Sequence, residues 1–311
     1  LSSSNPQSWL SWFSRGILIV GFLILGVRIA ELQIIKGDYY RGLAEENRIR
    51  HIPIVAPRGK ILARGGEILV GNIESKKRIK FDPKSGYTKT KDLEGALPEE
   101  IITDYQRVYM LGSSFSHVSG YVSEVTPADV NKVNPRCPEK GLKMPGTLVG
   151  VSGLEMQYDC TLAGIDGEEL IEVNTSGVKV RTLGTRQPIA GTDLATTIDF
   201  PLQEAIPGFM VKTEFLDQPK GAIIVTDTKG EIMALYSAPS FDPTNLVPSL
   251  NNPDQPFFDR AIAGTFHPGS VFKPVVATAA LEEGKIDKDF RFNDLGTINV
   301  KTPYGDFSYS N

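Results

Sequence analysis

Ser270 and Lys273 stand three residues apart in Gly264-Thr265-Phe266-His267-Pro268-Gly269-Ser270-Val271-Phe272-Lys273-Pro274. Residues at i and i+3 share a helix face, with Cβ atoms roughly 5–6 Å apart. A serine hydroxyl attacks poorly until a base removes its proton, and a neutral lysine amine can do that. The pair therefore predicts acyl transfer through a serine ester. Partial positive charge at a helix N-terminus stabilises an oxyanion formed there. Burial of the helix start would favour the neutral amine.

The elements around the pair suit this chemistry. Pro268-Gly269 is a turn signal. Val271, Phe272, Val275, Val276, Ala279, Ala280 and Leu281 make an apolar run, and Gly284 is a natural C-cap. Pro274 is tolerated because a first helical turn has no intrahelical N–H bond to lose. A helix apolar nearly all round is expected to be buried. Ser176 and Lys179 repeat the spacing, but between two β segments around a turn, where they share no helix face. Upstream, Lys220 to Ser237 reads as strand, tight turn at Asp227 to Gly230, and strand. Ala238-Pro239-Ser240-Phe241-Asp242-Pro243 and Asp259-Arg260-Ala261 follow.

From Gly221 to Lys285 the order and spacing of these segments resemble the class B penicillin-binding proteins. Earlier segments extend the resemblance. Pro57-Arg58-Gly59-Lys60-Ile61 looks like that family's Pro-Arg-Gly signature. Gly153-Leu154-Glu155, with Tyr158-Asp159, Leu162, Gly164 and Gly167, looks like its link before the catalytic domain. Gly191-Thr192-Asp193-Leu194-Ala195-Thr196-Thr197-Ile198-Asp199 looks like its entry into that domain. The pattern is most similar to the elongation-type members.

The resemblance implies an α+β chain in three parts. Residues 1–35 hold an N-terminal segment and transmembrane anchor. Residues 36–195 form a β-rich, dimerisation-type pedestal. Residues 196–311 form the first part of a serine transpeptidase domain of the penicillin-binding/β-lactamase type. The implied activity is peptidoglycan D,D-transpeptidation, with Ser270 as nucleophile and Lys273 as base. Peptidoglycan stem peptides and β-lactams are the implied partners, with membrane lipid around the anchor and a membrane glycan polymerase alongside. No cofactor, metal or nucleic acid is expected. The alternatives are a β-lactamase or β-lactam sensor, and a non-catalytic membrane scaffold for a polymerase.

Two further motifs are expected after the serine helix: Ser-x-Asn, then Lys-Thr/Ser-Gly on a strand. The sequence reaches Asn311, 38 residues past Lys273, without them. Ser249-Leu250-Asn251 precedes Ser270, Lys84-Ser85-Gly86 reads as a turn, and Lys301-Thr302-Pro303 has proline in place of glycine. The expectation is a fragment cut at both ends, with little or no activity of its own.

Composition sets the remaining bounds. Hydrophobic content of 41% and charged content of 23% suit a folded chain. A net charge of −4 gives no basic footprint for nucleic acid. His51, His117 and His267 are scattered without ligand spacing, so no metal site is expected; His267 is the best placed to line the serine site. Cys137 and Cys160 can form one disulfide in an exported chain, but spacing alone leaves their pairing open.

Gly16 to Val27 is an uncharged apolar block. Extended back to Trp9, it reaches about 19 residues, or roughly 28 Å of helix. Trp9 and Trp12 suit a headgroup belt, and no small-x-small cleavage site follows. Residues 28–50 read as one amphipathic helix leaving the membrane. A cytoplasmic N-terminus, with the bulk of the chain outside a bacterial cytoplasmic membrane, rests on the resemblance rather than on charge counting. Between Asn72 and Arg107 a short Lys-rich stretch stands where relatives usually carry a larger head subdomain.

Overall fold

The structure, a computed structural model, describes residues 6–82, 86–144, 146–174, 178–211, 220–293 and 295–310. The chain forms two compact units, Leu1–Ala263 and Gly264–Asn311.

The first unit starts with helix α1 (Pro6–Ala30), a π-helical turn at Glu31–Ile35 and helix α2 (Gly37–Arg48). Trp9–Ile35 is long and apolar enough to cross a membrane, with mean hydropathy 2.1. At roughly 1.5 Å per residue it outreaches a hydrocarbon core of about 30 Å. Glu31 pairs with both Arg28 and Lys36, so one carboxylate offsets part of the positive charge at the end of the span. The single helix expected over residues 28–50 is instead interrupted. The Lys36 N–H returns to the Glu31 carbonyl at 2.9 Å, which closes the wide turn and restarts the helix at Gly37.

Strands β1 (Ile49–Ile54), β2 (Ile61–Leu62), β3 (Ile68–Asp82), β4 (Gly86–Thr90) and β5 (Ile101–Tyr109) follow. The Lys-rich stretch after Asn72 is the distal half of a long antiparallel ladder. β3 pairs with β5 from Val70↔Tyr109 to Arg78↔Ile101, and with β4 beyond. Next come α3 (Ser116–Ser119), β6 (Val122–Glu124), β7 (Leu148–Gly150), α4 (Gly153–Gln157) and α5 (Asp159–Leu162). β8 (Gly167–Val173) and β9 (Lys179–Arg186) pair as the expected two β segments, and β8 also pairs antiparallel with β1. Ser176, Lys84 and Ser85 lie outside the described residues.

β10 (Leu194–Ala195) joins β2 in parallel and brings the chain to α6 (Phe200–Val211). β11 (Gly221–Thr226) and β12 (Ile232–Ala238) form the expected hairpin, its turn held by Asp227 Oδ1 accepting from the Lys229 and Glu231 N–H groups. One core collects Ile61, Ala63, Leu69, Val70, Phe115, Leu162 and Ile198. These come from five separate stretches of chain, so burial of this apolar surface ties those stretches together.

The second unit holds a 3-10 turn at Gly269–Phe272, helix α7 (Lys273–Glu282) and a hairpin of β13 (Thr297–Thr302) and β14 (Gly305–Ser310). Lys301-Thr302-Pro303 is the start of that hairpin's turn.

Candidate active site

Ser270 lies in the 3-10 turn and Lys273 is the first residue of α7. The Lys273 N–H donates to the Ser270 carbonyl, so the two residues are one helical turn apart. Gly269 starts the turn at φ +56°, a left-handed conformation that glycine adopts without a Cβ clash. Pro274 sits within the first turn of α7, and its carbonyl accepts from Thr278 Oγ1 at 2.8 Å. Past Glu282 the chain closes with the Lys285 N–H on the Ala280 carbonyl at 2.9 Å.

Ser270, Lys273 and His267 are all solvent-exposed. Among the described residues neither the Ser270 nor the Lys273 side chain has a hydrogen-bond partner. The helix expected to be buried is open: Val271 is 79% exposed, Val275 56% and Val276 55%. A helix apolar on every side needs cover on every side, and among its described residues the unit Gly264–Asn311 adds one hairpin to it. The structure thus places the two residues on one turn and leaves their side chains in solvent.

Sequence reasoning missed how the first unit's signature segments meet. Arg58 is 6% exposed; its Nε donates to Glu155 at 2.7 Å and its Nη2 to Asp159 at 2.7 Å. Arg107 donates to the other Glu155 oxygen, also at 2.7 Å, and to Asn72 Oδ1 at 3.0 Å. The Asn72 amide reaches the Arg58 carbonyl at 2.6 Å. Backbone bonds continue the junction. Gly191 N–H donates to Pro57 O, Gly59 N–H to Leu162 O, and Lys60 N–H to Asp193 Oδ1. A Cβ on Gly59 would stand 2.0 Å from Thr192 O, so only glycine lets the two segments approach so closely. The three motifs were visible in the sequence; their mutual contact was not.

Cys137 and Cys160 are joined in a disulfide. It pins the loop after β6 onto α5, where Arg136 also reaches Gln157 O and Lys140 reaches Ala163 O. That loop and strands β1 and β8 wall a cavity of about 400 Å³, lined by His51, Pro53, Val55, Leu142 and Met144 among others. Neither Ser270 nor Lys273 lines it.

Comparison with known proteins decides the family. Residues 83–196 match the penicillin-binding protein dimerisation domain, and residues 221–311 match the penicillin binding protein transpeptidase domain. The peptidoglycan D,D-transpeptidase MrdA of Acinetobacter baumannii is 30% identical over 93% of this chain and 50% of that protein. The chain belongs to the class B penicillin-binding proteins. MrdA of Escherichia coli K12 is 29% identical over 90% of the chain and 53% of that protein. The crystal structure of Pseudomonas aeruginosa PBP2 in complex with WCK 5153 matches with a TM-score of 0.55 at 25% identity. That match covers 84% of this chain and 48% of that one. The chain spans about half the length of these curated relatives. An N-terminal apolar helix precedes the stretch that matches the dimerisation domain, and the stretch that matches the transpeptidase domain follows.

Proposed function

We propose that the full-length gene product is a peptidoglycan D,D-transpeptidase acting through Ser270. The observation that carries this reading is the Ser270–Lys273 turn lying within the stretch that matches the transpeptidase domain. Lys273 Nζ takes the Ser270 Oγ proton as Oγ attacks the carbonyl of the penultimate D-Ala. The amide bond breaks, the proton passes to the departing D-Ala nitrogen, and a serine ester remains. The amine of a neighbouring stem peptide attacks that ester, forms the cross-link and returns the proton to Ser270. A β-lactam traps the enzyme because its opened ring stays attached as the ester.

Residues 1–35 serve as anchor, 36–195 as pedestal and 196–311 as the start of the catalytic domain. The N-terminus is cytoplasmic, the bulk extracytoplasmic, and a membrane glycan polymerase is the working partner. The Cys137–Cys160 disulfide supports this orientation, since such bonds persist outside the cytoplasm. The 311 residues alone are expected to acylate poorly, because Ser270 and Lys273 face bulk water.

The test is labelling of the full-length gene product with a fluorescent penicillin. Stable labelling that disappears in Ser270→Ala is the expected result. Rapid release of the label would indicate a β-lactamase. No labelling of the wild type would leave a scaffold, and labelling that survives in Ser270→Ala would remove this serine from the mechanism.

A further inference from the structure

His117 belongs to the segment matched by the dimerisation domain, yet its hydrogen bond crosses to the segment matched by the transpeptidase domain. The ring is partly buried on α3, with Nε2 2.8 Å from the Pro256 carbonyl. A carbonyl oxygen only accepts, so Nε2 carries the hydrogen and donates. The ring also meets Phe241 edge-on, with centroids 5.2 Å apart. Phe241 is buried, and packs against Tyr121 at 6.0 Å and Phe257 at 4.7 Å. Burial pushes the His117 pKa below the usual imidazole value; Asp259 opposes that shift and Arg260 adds to it. The ring is therefore neutral near pH 7, a single-donor imidazole whose tautomer is set by Pro256.

What His117 holds is the loop that follows β12. Residues 251–260 are organised by Arg260, whose guanidinium donates to the Asp254, Gln255 and Phe258 carbonyls. The Arg260 N–H is anchored on Ser237 Oγ of β12 at 2.9 Å. A second clasp runs parallel to the first. Gln203 of α6 is fully buried; its amide donates to Ser114 O and Leu235 O, and its oxygen accepts from the Leu235 N–H. Gln203 fixes the strand, and His117 fixes the loop that leaves it. Ten residues after Arg260 the chain reaches Ser270.

We propose that His117 is a positioning residue: it fixes the stretch Phe241 to Arg260 against the pedestal and so sets the start of the chain that carries Ser270. The proposal rests on the transpeptidase reading for its consequence in activity, but its structural half stands alone. His117→Phe keeps a ring against Phe241 and removes the donor. His117→Gln keeps a donor of similar reach.

The experiment has two arms. Acylation by a fluorescent penicillin is timed in the full-length gene product, and amide hydrogen exchange over residues 241–260 is measured in the same variants. Loss of one neutral hydrogen bond predicts roughly tenfold slower acylation and about tenfold faster exchange in His117→Phe. His117→Gln should recover both to within about twofold, a rescue that a purely packing role for the ring would not give. Unchanged exchange in His117→Phe would overturn the proposal. So would faster exchange with unchanged acylation, or a His117→Gln variant as slow as His117→Phe. If the wild type does not acylate at all, the transpeptidase reading fails and the exchange arm alone decides the role of His117.

Discussion

Arg58 and Glu155 are 97 residues apart in sequence and 2.7 Å apart in the fold, both almost fully out of contact with solvent. Glu155 answers two guanidinium groups, since Arg107 takes its second oxygen. Two cations converging on one buried carboxylate are tolerable only while that carboxylate is present. Asp159 shares the load through Arg58 and also accepts from the Gly150 N–H at 2.9 Å. The network thereby fastens the Pro-Arg-Gly segment, the β5 strand and the α4–α5 link into one junction.

Glu155→Gln should therefore destabilise the first unit sharply. Breaking a buried pair from one side typically costs about 3–5 kcal/mol, because the surviving charge is left uncompensated. For a unit of this size that is a fall in Tm of about 10 °C. A thermal melt of the purified protein checks it, and a shift under about 2 °C would mean that water reaches the arginines freely.

Gly59→Ala tests the same junction without touching charge. The new methyl group would collide with the Thr192 carbonyl, which belongs to main chain and cannot swing aside. A loss of at least about 1–3 kcal/mol is expected, as for other overpacked sites. Equal denaturant midpoints for the variant and the wild type would rule out so close an approach.

Much of this architecture was legible locally and little of it at long range. Asp227 and Gly230 announced the β11–β12 hairpin because turn chemistry is a short-range property. The apolar block after Gly16 announced the anchor helix for the same reason. The interruption at Glu31–Ile35 was hidden, because periodicity does not separate a π-helical turn from an α-helical one. The ion pairs of Glu155 and the Cys137–Cys160 bond were hidden because spacing says nothing of spatial proximity. At the candidate site the Ser270–Lys273 spacing was plain in the sequence, whereas the open setting of α7 depends on what packs around it.

The disulfide gives a redox prediction. Cys137 and Cys160 close a loop of 23 residues in sequence separation. Loop-closure entropy then predicts about 3 kcal/mol of stabilisation. Melts with and without a dithiol reductant should differ by several degrees, and a Cys137→Ser, Cys160→Ser double variant should match the reduced form and ignore reductant. A reductant effect that persisted in the double variant would have another origin.

Asp104 gives a pH prediction. Burial opposes its charge, but the Lys77 ammonium at 2.7 Å and the nearby Lys89 hold its carboxyl below the usual range. A carboxyl with a depressed folded-state pKa contributes stability above its unfolded value. That contribution is lost as pH falls through the folded value. The stability gap between wild type and Asp104→Asn should therefore be full above about pH 5 and shrink steadily below about pH 4. Melts from pH 3 to pH 7 would show it, and a gap that widened on acidification would mean that the folded state raises the Asp104 pKa.

Lys273→Ala in the full-length gene product should slow penicillin acylation by about 100–10,000-fold, the usual worth of a general base. The melting temperature should barely move, because the Lys273 side chain is exposed. Acylation within tenfold of wild type would assign the proton transfer to another group.

The open face of α7 predicts how the 311-residue chain behaves on its own. Val271, Phe272, Val275, Val276 and Leu281 are each between 45% and 79% exposed along the 3-10 turn and α7. Each such side chain forgoes roughly 1.5–3 kcal/mol of burial, and a patch of them is sticky in water. Detergent around the anchor does not relieve a patch on a separate unit. Self-association that rises with concentration is expected even in detergent, and Val275→Glu with Val276→Glu should reduce it. Protease should cut first within Gly264–Asn311, where α7 and the β13–β14 hairpin bury little backbone. Digestion that removed the first unit's β-sheets while sparing Gly264–Asn311 would refute this, because it would mean that α7 is covered.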